Sequence, residues 1–131
     1  MAISYLLKIE NKKEKYIEIG SLGRLKFKKG IYVYVGSAKR NLIPRIKRHL
    51  RKEKKYFWHI DYFLKEKQVK IEKVWKTVWE ECQVATFLSR YAETVERFGS
   101  SDCKCKGHLF YVNSQNLSSF LKKIKADEVQ V

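Results

Sequence analysis

One proline, six glycines and three cysteines in 131 residues leave little from which to build a linker or a disulfide framework. No Pro/Gly-rich stretch, internal repeat or low-complexity segment divides the chain. A single domain is therefore expected over residues 1–125, with 126–131 as a flexible tail. Cys82, Cys103 and Cys105 are too few for a disulfide scaffold and are expected to be reduced. No apolar run is long enough to span a bilayer. The opening segment, MAISYLLKIENKKEK, has neither a basic flank nor a small-residue cleavage site, so it reads as a strand in a cytoplasmic protein. Acidic residues are also scarce, 14 against 29 lysines and arginines, for a net charge of +15.

That surplus is uneven. Between Arg24 and Lys55 there are 13 Lys/Arg and one acid, Glu53. A concentration of this kind favours a polyanionic partner, because each neutralised phosphate releases condensed counterions.

Apolar periodicity orders the chain as β-β-β-α-α-β-α-β-α. Strands are expected at 2–10, 16–19, 31–35, 69–78 (bulged or twisted) and 108–112, with a basic connection over 23–30. A helix follows Asn41, a potential cap, and tolerates Pro44 in its first turn. Its apolar stripe is Leu42, Ile46 and Leu50, with Arg45, Arg48, His49 and Lys52 elsewhere on its surface. The aromatic run 56–64 suggests a short helix. The clearest helical pattern is 80–98, with Val84, Leu88, Tyr91, Val95 and Phe98 in step and Gly99 as its C-terminal stop. Ser114 is expected to cap a last helix running to about Lys125. The class is α+β, a small mixed β-sheet flanked by helices.

The segment KGIYVYVGSAKRNLIPRIKRHL carries the sharpest signal. Tyr34-Val35-Gly36, a short basic turn and a basic helix with Arg45 resemble the GIY-YIG nuclease family. In that family the two tripeptides lie on paired strands joined by a turn. Here Gly30-Ile31-Tyr32 is separated from Tyr34 by Val33 alone, which leaves no room for a turn. The first motif is therefore sought earlier, at Ile3-Ser4-Tyr5, where isoleucine stands in place of the glycine. The segments YVGSA (34–38), RIKRHL (45–50), WHIDYFL (58–64), EC (81–82) and FGSSDCKCKGHLF (98–110) resemble a small stand-alone branch of that family, of unknown function.

The resemblance implies a metal-dependent endonuclease that hydrolyses phosphodiester bonds in DNA, structure-directed or in repair and processing. It implies Tyr5 as general base or water-positioner with Tyr34 as its partner, and Arg45 on the phosphate, where a planar guanidinium fork suits the oxygens. It implies Glu81 as the ligand of one Mg²⁺ or Mn²⁺; Glu80 beside it could exchange roles. Each has a simpler rival. Strand tyrosines are usually packing residues, and an acid in a first helical turn already suits the helix dipole.

His49, one turn after Arg45, could donate a proton to the leaving oxygen or simply cover the apolar stripe. Tyr32 shares a strand face with Tyr34 and is a possible neighbour in the site. Lys39, Arg40, Lys47, Arg48, Arg51 and Lys52 are expected to follow the nucleic-acid backbone, which carries no sequence information. His59 and Asp61 are read as structural first and site-adjacent second. The one-residue spacing of Cys103 and Cys105 argues against a structural zinc with His108; Cys82 would join only if the loop folded back on its helix. The alternative reading is a degenerate module that binds nucleic acid, DNA before RNA, without cutting. A third reading is a structural subunit whose aromatic run 56–63 docks a partner; separately, a nuclease of this size would draw specificity from a protein partner.

Overall fold

The computed structural model describes residues 3–38, 40–99 and 105–130. Its elements run β1 (Ser4–Asn11), β2 (Lys15–Glu18), β3 (Arg24–Phe27), β4 (Gly30–Ser37), α1 (Leu42–Leu50), α2 (His59–Leu64), β5 (Val69–Thr77), α3 (Glu81–Leu88), β6 (Glu93–Val95), β7 (Leu109–Val112), α4 (Ser114–Lys123) and β8 (Asp127–Glu128). The expected α+β class holds. Six strands form a sheet in the order β6-β7-β4-β1-β5-β8, and β2 and β3 form a separate hairpin. All the described pairings are antiparallel.

Alternation along the central strands divides the core into two layers. Tyr5, Leu7 and Ile9 of β1 and Tyr32 and Tyr34 of β4 face one side, where they meet Ile46 of α1, Ile60, Phe63 and Leu64 of α2, and Ile17 and Phe27 of the hairpin. Leu6, Val33 and Val35 face the other side, against Val84, Ala85 and Leu88 of α3 and Leu117 and Phe120 of α4. Helices thus cover both faces, and β1 and β4 are buried between them.

Several local expectations change. The basic connection 23–30 contains β3, which pairs with β2 through Ile17↔Leu25 and Glu18↔Arg24. The helix expected to reach Phe98 ends at Leu88, and Glu93–Val95 pairs with β7 instead. Val84 and Leu88 do carry a helical stripe. Beyond them the β-branched Thr94 and Val95 gain ladder partners, and Gly99 (φ +70°) turns a loop rather than stopping a helix. Asn41 occupies the N-cap position of α1 without a side-chain bond, and Asn113 rather than Ser114 caps α4, accepting from Gln115 N. The bulge in β5 falls where its register against β1 shifts from Lys8↔Lys73 to Ile9↔Ile71. Within the segment expected as a tail, Asp127 and Glu128 pair with Lys76 and Trp75.

Asp61 joins the two helices of the first layer. Its carboxylate is fully buried and takes both arms of Arg48, at 2.9 and 3.0 Å, as well as the backbone N–H groups of Phe57 and Trp58. Burial alone would raise its pKa; the Arg48 fork and the two N–H donors outweigh burial and lower it. An Asp61→Ala variant would strand the Arg48 guanidinium and two N–H groups. It is expected to lose about 3 kcal/mol or more in urea unfolding. A loss below about 1 kcal/mol would show the pair to be no stronger than a surface ion pair.

Candidate active site

A cavity of about 320 Å³ opens where the ends of β1 and β4 meet α1, α2 and α3. Its walls include Tyr5, Tyr34, Gly36, Ser37, Arg45, Phe57, Trp58, His59, Glu81, Gly99 and His108. Tyr5, Tyr34, Arg45 and Glu81, 76 residues apart at the extremes, therefore share one concave surface.

The placement begins with the β1–β4 register. Leu7 pairs with Tyr34 and Tyr5 with Gly36. A Cβ on Gly36 would overlap the Tyr5 ring, so glycine is what lets that ring lie across β4. The ring then reaches α1, where Tyr5 Oη and His49 Nε2 are 2.7 Å apart. Tyr34 stands beside them, with ring centroids 6.5 Å from Tyr5 and 6.0 Å from His49. Both phenols are buried along their rings, Tyr5 being 2% and Tyr34 6% exposed, so only their edges reach the cavity.

Burial sets the protonation states. It raises the pKa of Tyr5, against the opposing pull of Arg45, and raises that of Tyr34 with a further push from Tyr5. Both are neutral phenols at physiological pH. Burial, reinforced by the Lys54 charge, lowers His49 to about 4, so its imidazole is neutral as well. His49 is 2% exposed and lies behind Tyr5, outside the cavity wall. The expectation that it donates directly to a leaving group is corrected: its contact is with the phenol.

Arg45 is held at the mouth by a bond from its guanidinium to Ser37 O and by the Trp58 ring, 5.3 Å away. Glu81 begins α3. The corner that places it is tied by Ser4 Oγ to Trp79 O (2.7 Å), Thr77 Oγ1 to Ile124 O (2.7 Å) and Trp79 N to Thr77 Oγ1 (3.2 Å). Glu81 Oε2 is 3.3 Å from His108 Nδ1. Glu80 is the exposed N-cap, its N–H bonded to Gln83, so Glu81 alone of the pair faces the cavity.

The other expected residues divide. Tyr32 does not line the cavity; its hydroxyl donates to Lys28 O and its ring packs on Phe63. Arg48 is committed to Asp61. Lys52 Nζ donates to the carbonyls of Leu64, Glu66 and Val69, locking the turn between α2 and β5. Arg40, Lys47 and Arg51 are exposed. Lys39 and Cys103 lie outside the described residues. Of the rings in the aromatic run, Phe63 is buried, Trp58 and Tyr62 are half-buried, and Tyr56 and Phe57 are exposed.

Two cavity positions were given other roles first in the sequence reading, His59 a structural one and His108 that of a possible zinc ligand. His59, read as structural first, lines the cavity, and its Nδ1 accepts from Gly99 N at 2.9 Å, which places the proton of the neutral ring on Nε2. His108 comes to Glu81 from the start of β7. Neither has a local signature; only the long-range fold brings them here. Lys54 is a third surprise. It caps the end of α1 through the carbonyls of Arg48 and His49, and burial lowers its pKa to about 8.

The pKa of His49 gives a stability prediction. Its folded value, about 4, is below the ordinary 6.5, so between these values the unfolded chain binds a proton that the folded chain refuses. Stability from this group is full above about 6.5 and is lost as pH falls toward 4. Between pH 7 and 4.5 the parent protein is expected to lose about 2 kcal/mol through this group. His49→Gln should lose that much less over the same interval in paired urea titrations; equal slopes would contradict a neutral, buried His49.

No curated protein and no solved structure matches the chain. A family model does, over residues 4–129, which takes in every element from β1 to β8. The chain belongs to the family described as the domain of unknown function DUF123.

Proposed function

We propose that the protein is a metal-dependent endonuclease of GIY-YIG type that hydrolyses phosphodiester bonds in DNA. The observation that supports this most directly is the convergence of Tyr5, Tyr34, Arg45 and Glu81 on one cavity. The exposed cations Arg40, Lys47 and Arg51 lie on and beside α1, the helix that supplies Arg45.

The donor set fits a hard divalent ion. Mg²⁺ keeps most of its water and takes one or two carboxylates together with substrate phosphate. Glu81, the cavity's carboxylate among the described residues, is 29% exposed at its side chain. When bound, Mg²⁺ or Mn²⁺ would place positive charge on a phosphoryl oxygen. His108 at 3.3 Å would fix the orientation of the Glu81 carboxylate.

The chain's own groups supply the proton path. With the His49 proton on Nδ1, the Tyr5 hydroxyl 2.7 Å away donates to Nε2, which leaves the phenol oxygen's lone pairs available to a water in the cavity. As the water oxygen bonds to phosphorus, its proton passes to Tyr5 and the phenol's proton moves on to His49. No phenolate has to persist, which suits a buried phenol of raised pKa. The bond to the leaving sugar oxygen breaks, and that oxygen takes a proton from solvent. Arg45 neutralises charge on the phosphate oxygens. Contacts from Arg40, Lys47 and Arg51 would be to backbone, so specificity would rest on nucleic-acid shape.

With Mg²⁺ or Mn²⁺ the purified protein should nick some branched, flapped or damaged duplex. Arg45→Ala, Glu81→Gln and Tyr5→Phe should each cut about 100-fold more slowly or worse, with binding reduced far less. Salt-sensitive binding by the parent without turnover on any such duplex would replace this reading with the degenerate binding module.

A further inference from the structure

Two of the three cysteines, Cys82 and Cys105, meet His108. Cys82 is the second residue of α3, Cys105 lies in the segment leading into β7, and His108 immediately precedes that strand. One ligand atom from each lies within 4.8 Å of the other two. We infer that Cys82, Cys105 and His108 form a zinc site that clamps the first turn of α3 to the strand leading into β7. The inference is independent of the nuclease reading.

Distance supports it. Zn–S bonds of about 2.3 Å and Zn–N bonds of about 2.1 Å at tetrahedral angles require ligand atoms roughly 3.6–3.8 Å apart. With all three donors within 4.8 Å of one another, they need to close by at most about 1 Å, a change that side-chain torsions absorb. Chemistry supports it too. Two thiolates and an imidazole are a soft set that selects zinc over magnesium.

The backbones are held for the purpose. His108 is fixed on both sides, its N–H donating to Phe98 O at 2.7 Å and its carbonyl accepting from Val35 N at 2.9 Å. Gly107 passes so close to Val95 that a Cβ would strike the Val95 carbonyl, so the 105–108 segment is pinned against β6. Cys105 packs against the second core layer. Glu81, 3.3 Å from His108 Nδ1, is the kind of carboxylate that orients and strengthens a metal-bound imidazole. Three protein donors leave the fourth tetrahedral position for water or another donor. A zinc ion here would hold Glu81 and His108, both lining the cavity, in fixed relation.

The test is spectroscopic and needs no substrate. Full-length protein, reduced and stripped of metal, is titrated with Co²⁺ alone. One equivalent should produce a thiolate-to-cobalt charge-transfer band and strong tetrahedral d–d bands, and one equivalent of Zn²⁺ should abolish both. Cys82→Ser and Cys105→Ser should each lower the charge-transfer intensity by about half, and Glu81→Gln should weaken Zn²⁺ affinity about 10- to 100-fold. Circular dichroism of each variant separates lost ligation from lost folding, and the parent's own spectrum reads thiolate ligation without any variant. Absence of a charge-transfer band in the parent would overturn the proposal. So would an undiminished band in folded Cys82→Ser, or a stoichiometric Cys82–Cys105 disulfide in protein isolated with zinc present.

Discussion

The antiparallel pairing of β1 with β4 holds the cavity together, because it sets one aromatic side chain on one glycine. Tyr5 opposite Gly36 can lay its ring across the neighbouring strand and reach the imidazole of His49 on α1. Because side chains alternate along a strand, a one-residue shift of β1 would turn Tyr5 toward the opposite layer and away from Tyr34. The register is itself fixed by burial. Leu7 and Ile9 go to one core and Leu6 to the other, so a slip would misplace the whole of β1. Site geometry and folding stability thus depend on the same strand pair.

The positive charge between Arg24 and Lys55 does two kinds of work. Arg40, Lys47 and Arg51 remain exposed, as a surface for a polyanion requires. Arg48, Lys52 and Lys54 instead satisfy the Asp61 carboxylate and the carbonyls at the end of α1 and after α2. These cations hold α1 at the angle that directs Arg45 into the cavity and keeps His49 beneath Tyr5. Their charge also helps keep His49 neutral, since Lys54 is the strongest charged influence on it. A run that looks like one electrostatic feature in the sequence is divided by the fold into a scaffold and a face.

Much of the architecture was legible where the period of the apolar residues was unambiguous. β1, β4, β5, β7 and α1 fall where alternation or a helical stripe places them, and the bulge in β5 shows in its broken spacing. The crowding of Gly30-Ile31-Tyr32 against Tyr34 pointed to Tyr5 as the phenol from a separate strand, and the β1–β4 pairing brings the two together. The segment 89–98 was misread because Tyr91, Val95 and Phe98 keep a helical step that β6 uses for ladder and loop contacts instead. Sequence spacing cannot tell those uses apart when the partner residues are 14 or more positions away. β3 alternates as well, but its Arg24 and Lys26 made it read as part of a basic connection, and the two residues of β8 are too few to show a period.

By itself, then, the sequence determined the class of fold, the excess and location of positive charge, and the chemical types available: phenols, a helix arginine, an acid at a helix start, and clustered thiols. Those follow from composition and from periods of two and 3.6 residues, which are local. Which of these groups meet was decided only by tertiary structure. His49 went behind Tyr5, Glu81 rather than Glu80 faced the cavity, His59 and His108 entered its wall, and Tyr32 left it. Such meetings depend on strand order and on how helices are tilted across a sheet. These are set by burying two core layers at once, and no single stretch of the chain encodes them.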